Sequence, residues 1–293
     1  MDAQVEQVWV KPEDIGREAC AMEVIASLNQ EWEAGGIKAC GQKVHAKTYR
    51  MLLAGHDDSL VEVAEKCVTL GKLKRTSGTM SNIINSIIQS DSRPGTRARR
   101  YLQNDSTRLD KLAASTAAFL ACSYLLGIGD GHGDNLMLTE DGELFRIDFG
   151  FLFGAGPLGP DAPAVWLPWT VQEALGPRMH EVIEAAREAV RTVLCRPGVL
   201  KASVFAAAFA GHPSPEAYVA GLSLEDFNQK VSSLGTFGLF KSAKDLFHDV
   251  AYCGIPRWPQ RPEINTKSPA ALAFLMSRSD ADICTPESLV RRR

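Results

Sequence analysis

The sequence lacks the patterns that mark disulfide-bonded, zinc-bound or strongly charged proteins. Its seven cysteines are odd in number, and none of them forms a C-x-x-C pair, so neither a disulfide framework nor a zinc ribbon is indicated. Lys and Arg number 32 against 35 Asp and Glu, which gives a net charge of −3. This near balance predicts no general attraction to nucleic acid or to an anionic membrane.

Long apolar runs and a leader pattern are also missing. The longest apolar stretch, residues 112–129, is interrupted by Ser115, Thr116 and Ser123, which favours a buried helix over a membrane span. The first residues show no basic segment followed by an apolar one. These absences predict a soluble intracellular protein. A hydrophobic content of 45% over 293 residues is enough for one large domain or two lobes.

The first 64 residues combine strand and helix patterns. A short strand is predicted over residues 5–11, and the residues 12–14 suit the first turn of a following helix. Apolar residues at helical spacing give that helix one buried face: Ala21, Ile25, Leu28 and Trp32. Gly35 and Gly36 are expected to end it, and β-like runs follow over 47–53 and 60–64.

The rest of the chain is predicted to be mainly helical. Residues 71–110 are polar and predict a solvated loop; a patch that contacts phosphate or lipid is the alternative, because the segment contains Arg93, Arg97, Arg99 and Arg100. A buried helix is predicted over 112–126, and further helices beyond residue 169. One amphipathic stripe there is expected to face the core: Met179, Val182, Ile183, Ala186, Val190 and Leu194.

A predicted β-hairpin carries the residues that could hold a metal ion. Two apolar runs are joined by Asp141-Gly142, a dipeptide typical of a two-residue type I′ turn. That loop would pair Asn135 with Asp148 at the open end of the hairpin, with Cβ atoms about 4.5–5.5 Å apart. A carboxylate and an amide oxygen at this distance suit Mg²⁺, which takes its other ligands from phosphate and water.

The same segment has the spacing of a phosphoryl-transfer site. Asp130 precedes Asn135 by the D-x-x-x-x-N interval of a kinase catalytic loop, and Asp148 begins a D-F-G sequence. In this interpretation Asp130 accepts the proton of the acceptor hydroxyl. His132 is assigned a catalytic or transition-state role, with a structural histidine as the alternative. Asp134 is expected to face solvent or to cap the loop.

At these residues the sequence resembles the phosphatidylinositol 3-/4-kinase superfamily, which also includes related protein kinases. The usual pattern, G-I-G-D-R-H-x-x-N followed by H-I-D-F-G, stands here as GIGDGHGDN and RIDFG. The resemblance implies ATP and Mg²⁺ as cofactors. It also implies that Asp130 and His132 handle the hydroxyl proton and the developing charge, while Asn135 and Asp148 bind Mg²⁺.

The resemblance extends over about residues 4–176. Lys11, followed by Asp14 and Arg17, is similar to the K-x-G-D-D-L-R-Q-D segment whose lysine contacts ATP phosphate. Tyr49 is similar to the tyrosine at the back of the nucleotide pocket. The residues expected to offer backbone groups to adenine are those of the hinge: Glu62, Val63 and Ala64. Downstream, residues 164–170 resemble the end of an activation segment.

Four departures from the pattern stand out. Gly131 replaces the catalytic-loop arginine, Ala19 replaces the last aspartate of L-R-Q-D, and Arg146 replaces the histidine before I-D-F-G. Only ten residues precede Lys11, which is too few for two strands of ordinary length and a phosphate-covering loop. The expectation is therefore an incomplete small lobe, as in a fragment, a truncated isoform or a degenerate relative.

Together these features predict an α+β, two-lobed protein-kinase-like fold. Its truncated N-terminal lobe would span residues 1–64 and its mainly helical C-terminal lobe residues 65–293. The predicted function is ATP-dependent phosphoryl transfer to a hydroxyl, and the favoured substrate is phosphatidylinositol. A protein kinase on the same fold and an impaired pseudokinase that serves as a nucleotide-binding or interaction module are the alternatives. The expected partners are ATP and a phosphoinositide lipid or protein, in the cytoplasm with peripheral membrane contact and no nucleic acid.

The segment 149–168 carries a prediction about the substrate. It contains no Lys or Arg, which phosphate-bearing headgroups need as charge-assisted donors. Its apolar residues, among them Phe151, Leu152, Phe153, Leu158 and Trp166, are expected to contact a membrane or an apolar protein surface. Unphosphorylated phosphatidylinositol is therefore predicted to be preferred over its bisphosphate.

Overall fold

The computed structural model of the protein describes residues 8–11, 15–53, 59–62, 64, 66–74, 94–156, 165–209 and 215–234. Within them the chain is a mixture of helices and short antiparallel sheets. Most buried apolar side chains join in one continuous cluster that runs from Ile15 to Leu234. The predicted boundary between lobes at residue 64 is not tested by this arrangement and stays a prediction.

The N-terminal elements form a small sheet beside one long helix. The strands are β1 (Val8–Lys11), β2 (Lys38–Ala39), β3 (Gln42–Lys43), β4 (Met51–Leu53) and β5 (Ser59–Glu62), and helix α1 spans Gly16–Ala34. The sheet has the order β1-β5-β4, while β2 and β3 form a separate hairpin. The strands predicted over 5–11, 47–53 and 60–64 are therefore confirmed at shorter lengths within the described residues.

Helix α1 is anchored to the rest of the molecule by two side chains on its buried face. Trp32 donates from Nε1 to the Ala189 carbonyl (3.1 Å). Asn29 exchanges two hydrogen bonds of 2.8 Å with the main chain of Ala46. The predicted face of Ala21, Ile25, Leu28 and Trp32 is buried, and Gly36 follows the helix with φ of 65°, as expected of a glycine that ends a helix.

Three helices follow the small sheet: α2 (Leu70–Lys74), α3 (Pro94–Tyr101) and α4 (Ser106–Leu125). Helix α4 contains the buried segment predicted over 112–126, and that prediction is confirmed. The side chains of α4 are buried without interruption from Leu112 to Leu125. Asp105 accepts a hydrogen bond from the Arg108 N–H and so caps the helix. No helix in the described part of the chain is both long enough and apolar enough to cross a membrane.

The solvated loop predicted over 71–110 is wrong for its second half. Residues 94–101 are helical because Ala98 and Leu102, four positions apart, are both fully buried. Arg99 donates from Nε to the Ala174 carbonyl (3.0 Å). Arg93 and the side chain of Arg97 lie outside the described residues.

The hairpin is present, but the predicted register is wrong by one residue. Strand β6 (Cys67–Thr69) pairs with β7 (Leu136–Thr139), which pairs with β8 (Leu144–Arg146). Leu136 faces Arg146, and the Ile147 N–H donates to the Asn135 carbonyl (3.0 Å). Asn135 therefore lies opposite Ile147 and not opposite Asp148.

The turn explains the shift. Thr139 and Glu143 form the last bonded pair, so three residues and not two make the loop. Gly142 adopts φ of 97°, as in a three-residue hairpin loop that ends in one left-handed residue. A Cβ at Gly142 would lie 2.1 Å from the Arg108 carbonyl oxygen. The turn packs closely on the start of α4, a contact that local sequence does not reveal.

The C-terminal part is mainly helical where it is described. The helices are α5 (Trp169–Leu175), α6 (Met179–Leu194), α7 (Pro197–Phe209), α8 (Pro215–Ala220) and α9 (Leu224–Ser232). In the predicted stripe of α6, Val182, Ala186 and Val190 are buried, whereas Met179, Ile183 and Leu194 are half-buried. The buried face also includes Ala185, Ala189 and Val193, so it is rotated by about one position from the prediction.

Candidate active site

The segment 127–135 lies between α4 and β7 and runs beside the chain that follows β8. Main-chain hydrogen bonds join Gly129 N–H to the Phe151 carbonyl (3.0 Å) and Gly154 N–H to the Gly127 carbonyl (3.0 Å). Phe153 N–H donates to Leu126 (2.7 Å). The predicted catalytic loop and the start of the predicted activation segment are thus held side by side.

Three of the predicted site residues contact one another in this loop. Asn135 donates from Nδ2 to the Asp130 carboxylate (3.1 Å) and to the Asp130 carbonyl (3.2 Å). His132 Nε2 lies 3.3 Å from Asp130 Oδ2. The structure therefore brings Asp130, His132 and Asn135 together, and it centres them on one carboxylate.

The environment favours the ionised form of Asp130. The hydrogen bond from His132 holds the pKa of this carboxyl below its usual range, and the charges of His132 and Arg146 and the Asn135 amide act in the same direction against the effect of burial. Asp130 is consequently a carboxylate at neutral pH and can accept a proton or a hydrogen bond. In phosphoryl transfer, where positioning outweighs base strength, such a group can orient an attacking hydroxyl.

Asp148 lies directly after β8 and shares an uncommon backbone conformation with Asp130. Its φ is 66° and that of Asp130 is 54°, in the left-handed region that few residues other than glycine adopt. The Asp148 carboxylate accepts a hydrogen bond from the Gly150 N–H (3.3 Å). Left-handed residues of this kind cluster at functional sites, because their cost must be offset by the surrounding structure.

Asn135 and Asp148 have the donor chemistry that a magnesium ion needs. The Asn135 amide nitrogen faces Asp130, so its oxygen is turned away from that carboxylate. Among the described residues, no group of three or more His, Cys, Asp or Glu side chains could hold a metal ion by itself. A site of two hard oxygens fits Mg²⁺ in its usual role, in which phosphate and water complete the coordination.

Tyr49 connects the N-terminal elements to this site. Its side chain is buried and lies close enough to Asp148 to be affected by the charge of that carboxylate. Burial raises the pKa of Tyr49 first, and the negative charges of Glu18 and Asp148 raise it further. Since Asn29 fixes Ala46 against α1, Tyr49 is held near both a carboxylate of α1 and the metal-binding candidate Asp148.

Lys11 forms a buried ion pair that the sequence analysis did not include. Its Nζ lies 2.6 Å from Glu18 Oε1, and the side chains are 10% and 12% exposed. Glu18 sits in the first turn of α1, where a carboxylate is also favoured by the helix dipole. Lys11 is therefore paired with a carboxylate one position before Ala19. The signal available in the sequence was an acidic residue at the start of the helix after Lys11.

The hinge residues are described only in part. Glu62 ends β5 and accepts hydrogen bonds from Arg50 at its carboxylate (2.9 and 3.2 Å). The Ala64 carbonyl accepts a hydrogen bond from the Cys67 thiol (2.9 Å). Val63 lies outside the described residues. The adenine contacts expected of these three residues remain predictions.

The apolar residues after Asp148 are not displayed for a membrane. Leu152, Phe153 and Trp166 are buried within the main core, which corrects the expectation that they form a contact surface. Phe151 is half-buried, and Leu158 lies outside the described residues. These rings serve the core because the segment folds back over α4, where Phe119 and Trp166 meet edge to face.

Tyr218 in α8 is a second residue that sequence reasoning missed. Its hydroxyl donates to the Tyr124 carbonyl (2.5 Å), and its ring covers the point where the two site segments meet. A Cβ at Gly127 would lie 2.4 Å from that ring, and one at Gly154 would lie 3.2 Å from it. Both glycines have positive φ. No local pattern links residue 218 to the loop, because the contact spans about ninety residues of chain.

More than half of the chain matches a known protein family. The family described as "Phosphatidylinositol 3- and 4-kinase" matches residues 7–174, a span that contains every site residue predicted from the sequence but not Tyr218. Phosphatidylinositol 3-kinase age-1 of Caenorhabditis elegans is 26% identical over 175 residues, covering 51% of this chain and 14% of its own length.

Two further relatives match a similar share of this chain and a similarly small share of their own length. Phosphatidylinositol 3-kinase VPS34 of Arabidopsis thaliana is 26% identical over 58% of this chain and 19% of its own length. Phosphatidylinositol 3-kinase pik3 of Schizosaccharomyces pombe is 29% identical over 45% of this chain and 16% of its own length. The chain therefore matches less than a fifth of each of these relatives.

Proposed function

This chain belongs to the phosphatidylinositol 3- and 4-kinase family, and we propose that it transfers the γ-phosphate of ATP to a hydroxyl of phosphatidylinositol. The observation that carries the proposal is the pair of left-handed aspartates, Asp130 and Asp148, held on adjoining segments with Asn135 bonded to the first. Kinase-type chemistry requires these groups: a carboxylate for the hydroxyl and hard oxygens for a metal ion.

The N-terminal elements are assigned to nucleotide binding. Lys11 would contact an ATP phosphate, and Glu18 would hold the ammonium group in place through the 2.6 Å ion pair. Tyr49 would line the deep part of the pocket, next to Asp148. Glu62, Val63 and Ala64 would offer main-chain groups to adenine. In this proposal the chain has the two-lobed kinase arrangement, with the small sheet and α1 on the nucleotide side.

The hydroxyl and the transferred phosphate are assigned to the segments around β7 and β8. Asn135 and Asp148 would hold Mg²⁺, which would offset the negative charge of the ATP phosphates during transfer. The acceptor oxygen bonds to the γ-phosphorus as the bond to the bridging oxygen of ADP breaks, and Asp130 receives the hydroxyl proton. His132, 3.3 Å from Asp130, would stabilise charge that develops during transfer.

The proposed substrate class is supported by the relatives and by composition. The three relatives are phosphatidylinositol 3-kinases, and residues 149–168 contain no Lys or Arg to bind a phosphorylated headgroup. We therefore propose unphosphorylated phosphatidylinositol as the acceptor. We also propose that the protein is cytoplasmic and reaches its substrate by peripheral contact with membranes.

The test is transfer of radiolabelled phosphate from ATP to three acceptors: vesicles with phosphatidylinositol, vesicles with its bisphosphate, and a generic protein. We expect labelling of phosphatidylinositol, its loss in Asp148→Ala, and no loss in Asp134→Asn, a matched control in the same loop. Faster labelling of the protein acceptor would assign a protein kinase. Magnesium-dependent ATP binding without any transfer would contradict the proposed activity and leave a nucleotide-binding module.

A further inference from the structure

Arg146 is a buried cation at the end of β8, and it lies between the two site segments. The residue is 6% exposed. Its Nη2 donates to the carbonyls of Gly129 (2.5 Å) and Asp130 (3.1 Å), and its Nε donates to the carbonyl of Asp148 (3.3 Å). One guanidinium therefore bonds the main chain of both aspartates that the proposed function uses.

Those main-chain carbonyls belong to segments outside regular secondary structure. Residues 128–132 and 147–149 form neither helix nor strand, and the hairpin ladder ends at the bond from the Ile147 N–H to the Asn135 carbonyl. A buried carbonyl needs a partner, and a left-handed conformation at a residue other than glycine persists only where its surroundings impose it. Arg146 provides a hydrogen-bond partner for the Asp148 carbonyl and shares the Asp130 carbonyl with the Asn135 amide. These bonds also help to hold both residues in the left-handed conformation.

We propose that Arg146 is a positioning residue that locks Asp130 and Asp148 in their left-handed conformations by bonding both main-chain carbonyls. It thereby sets the placement of the proton-accepting carboxylate relative to the metal-binding one. The inference rests on the proposed function for the roles of the two aspartates, and on the hydrogen bonds alone for the clamp itself.

The chemistry of the side chain accounts for an arginine at this position. A guanidinium carries five N–H donors in a planar fork and stays charged, so it can bond two chain segments at once. A lysine presents its donors at one point and can reach only one segment well. Gly131 has no side chain to contribute to the loop, so the cationic group that braces this loop comes from the strand and not from the loop itself.

The experiment compares Arg146→Met and Arg146→Lys with Arg178→Met, each in the full chain. Arg178 is the matched control because it is also a partly buried arginine, but it bonds Asp110 at 2.6 Å and does not touch the site segments. Hydrogen exchange of the amides in 127–135 and 147–150 is measured together with kcat and KM for phosphatidylinositol phosphorylation.

We expect Arg146→Met to speed amide exchange in those two segments about tenfold, because charged hydrogen bonds to their carbonyls are lost. The hydrogen-exchange rates of the amides in α6 should not change. Turnover should fall about tenfold, with a smaller change in KM for ATP, since Lys11 and the hinge are intact. The amide exchange rates and the turnover of Arg146→Lys should lie between those of wild type and Arg146→Met. The exchange rates of Arg178→Met should equal those of wild type in both segments.

Two results would overturn the inference. Wild-type exchange of both segments in a folded Arg146→Met variant would show that the clamp does not hold them. Faster exchange across the whole molecule, α6 included, would show a role in general stability only. If Arg146→Met does not fold, Arg146→Lys carries the same comparison. An absence of turnover in wild type would contradict the proposed function, whereas the exchange measurements would still decide the role of Arg146.

Discussion

Replacing Glu18 by Gln removes one charge from the Lys11–Glu18 pair and leaves its shape almost unchanged. Both side chains are about nine-tenths buried and 2.6 Å apart. The remaining Lys11 would keep its charge in a site of low dielectric and lose the Glu18 carboxylate, while its contact with the Trp9 ring, 5.8 Å from Nζ, would stay. Breaking a buried ion pair from one side typically costs about 3–5 kcal/mol, so we expect a loss of stability of that order in Glu18→Gln.

The loss should be recovered when the lysine is also neutralised. The attraction within a buried ion pair is little larger than the cost of removing both charges from water. Replacing both partners therefore often changes the free energy of unfolding very little. Lys11→Met combined with Glu18→Gln should therefore be more stable than Glu18→Gln alone. The double variant should nevertheless bind ATP poorly, because the proposed phosphate contact is absent. This separation of stability from nucleotide binding distinguishes the pair from an ordinary structural one.

The assay is urea unfolding of wild type, the two single variants and the double variant, with ATP affinity measured on each folded protein. Lys43 and Glu33 provide the matched control, because their charged atoms are 2.7 Å apart while their side chains are 70% and 69% exposed. Glu33→Gln should not shift the unfolding midpoint measurably, since solvent screens exposed pairs. Equal effects of Glu18→Gln and Glu33→Gln would refute the argument from burial.

Three further predictions follow from the site and its turn. Asp130→Asn should spare magnesium-dependent ATP binding and reduce turnover, whereas Asp148→Ala should abolish that binding; equal loss of binding in a thermal-shift assay would show that their roles are not separable. Since the folded-state pKa of Asp130 is lowered, its contribution to stability is present above the unfolded pKa of about 3.9 and is lost as the pH falls through the lower folded value. The difference in unfolding free energy between wild type and Asp130→Asn should therefore shrink steadily as the pH falls below about 4, and a difference that does not change with pH there would contradict the assignment. Gly142→Ala should destabilise the protein by about 1–3 kcal/mol, because its Cβ would lie 2.1 Å from the Arg108 carbonyl; unfolding at the wild-type urea concentration would refute this.

The elements around the site could be predicted from short stretches of sequence. The buried helix α4, the helix after β1 and the hairpin around Gly142 are each encoded by periodicity or turn residues that act within about a dozen positions. The motif intervals placed Asp130 and Asn135 in one loop, and the structure puts them in contact. Local preferences were enough for these features because the interacting groups are close in the chain.

Only the tertiary structure decided which side chains support these residues. The hairpin register depended on how closely the turn at Gly142 packs on Arg108, and one extra loop residue moved Asp148 away from the position opposite Asn135. Three other contacts also join groups that no sequence motif relates to each other. They are the Lys11–Glu18 ion pair, the hydrogen bonds from Arg146 to two segments, and the packing of the Tyr218 ring against Gly127. Sequence by itself determined α1, α4, the strands of the hairpin at Gly142 and the motif residues, since their causes are local. Packing decided the register, the partners and the strained conformations, because each depends on atoms that meet only when distant segments fold together.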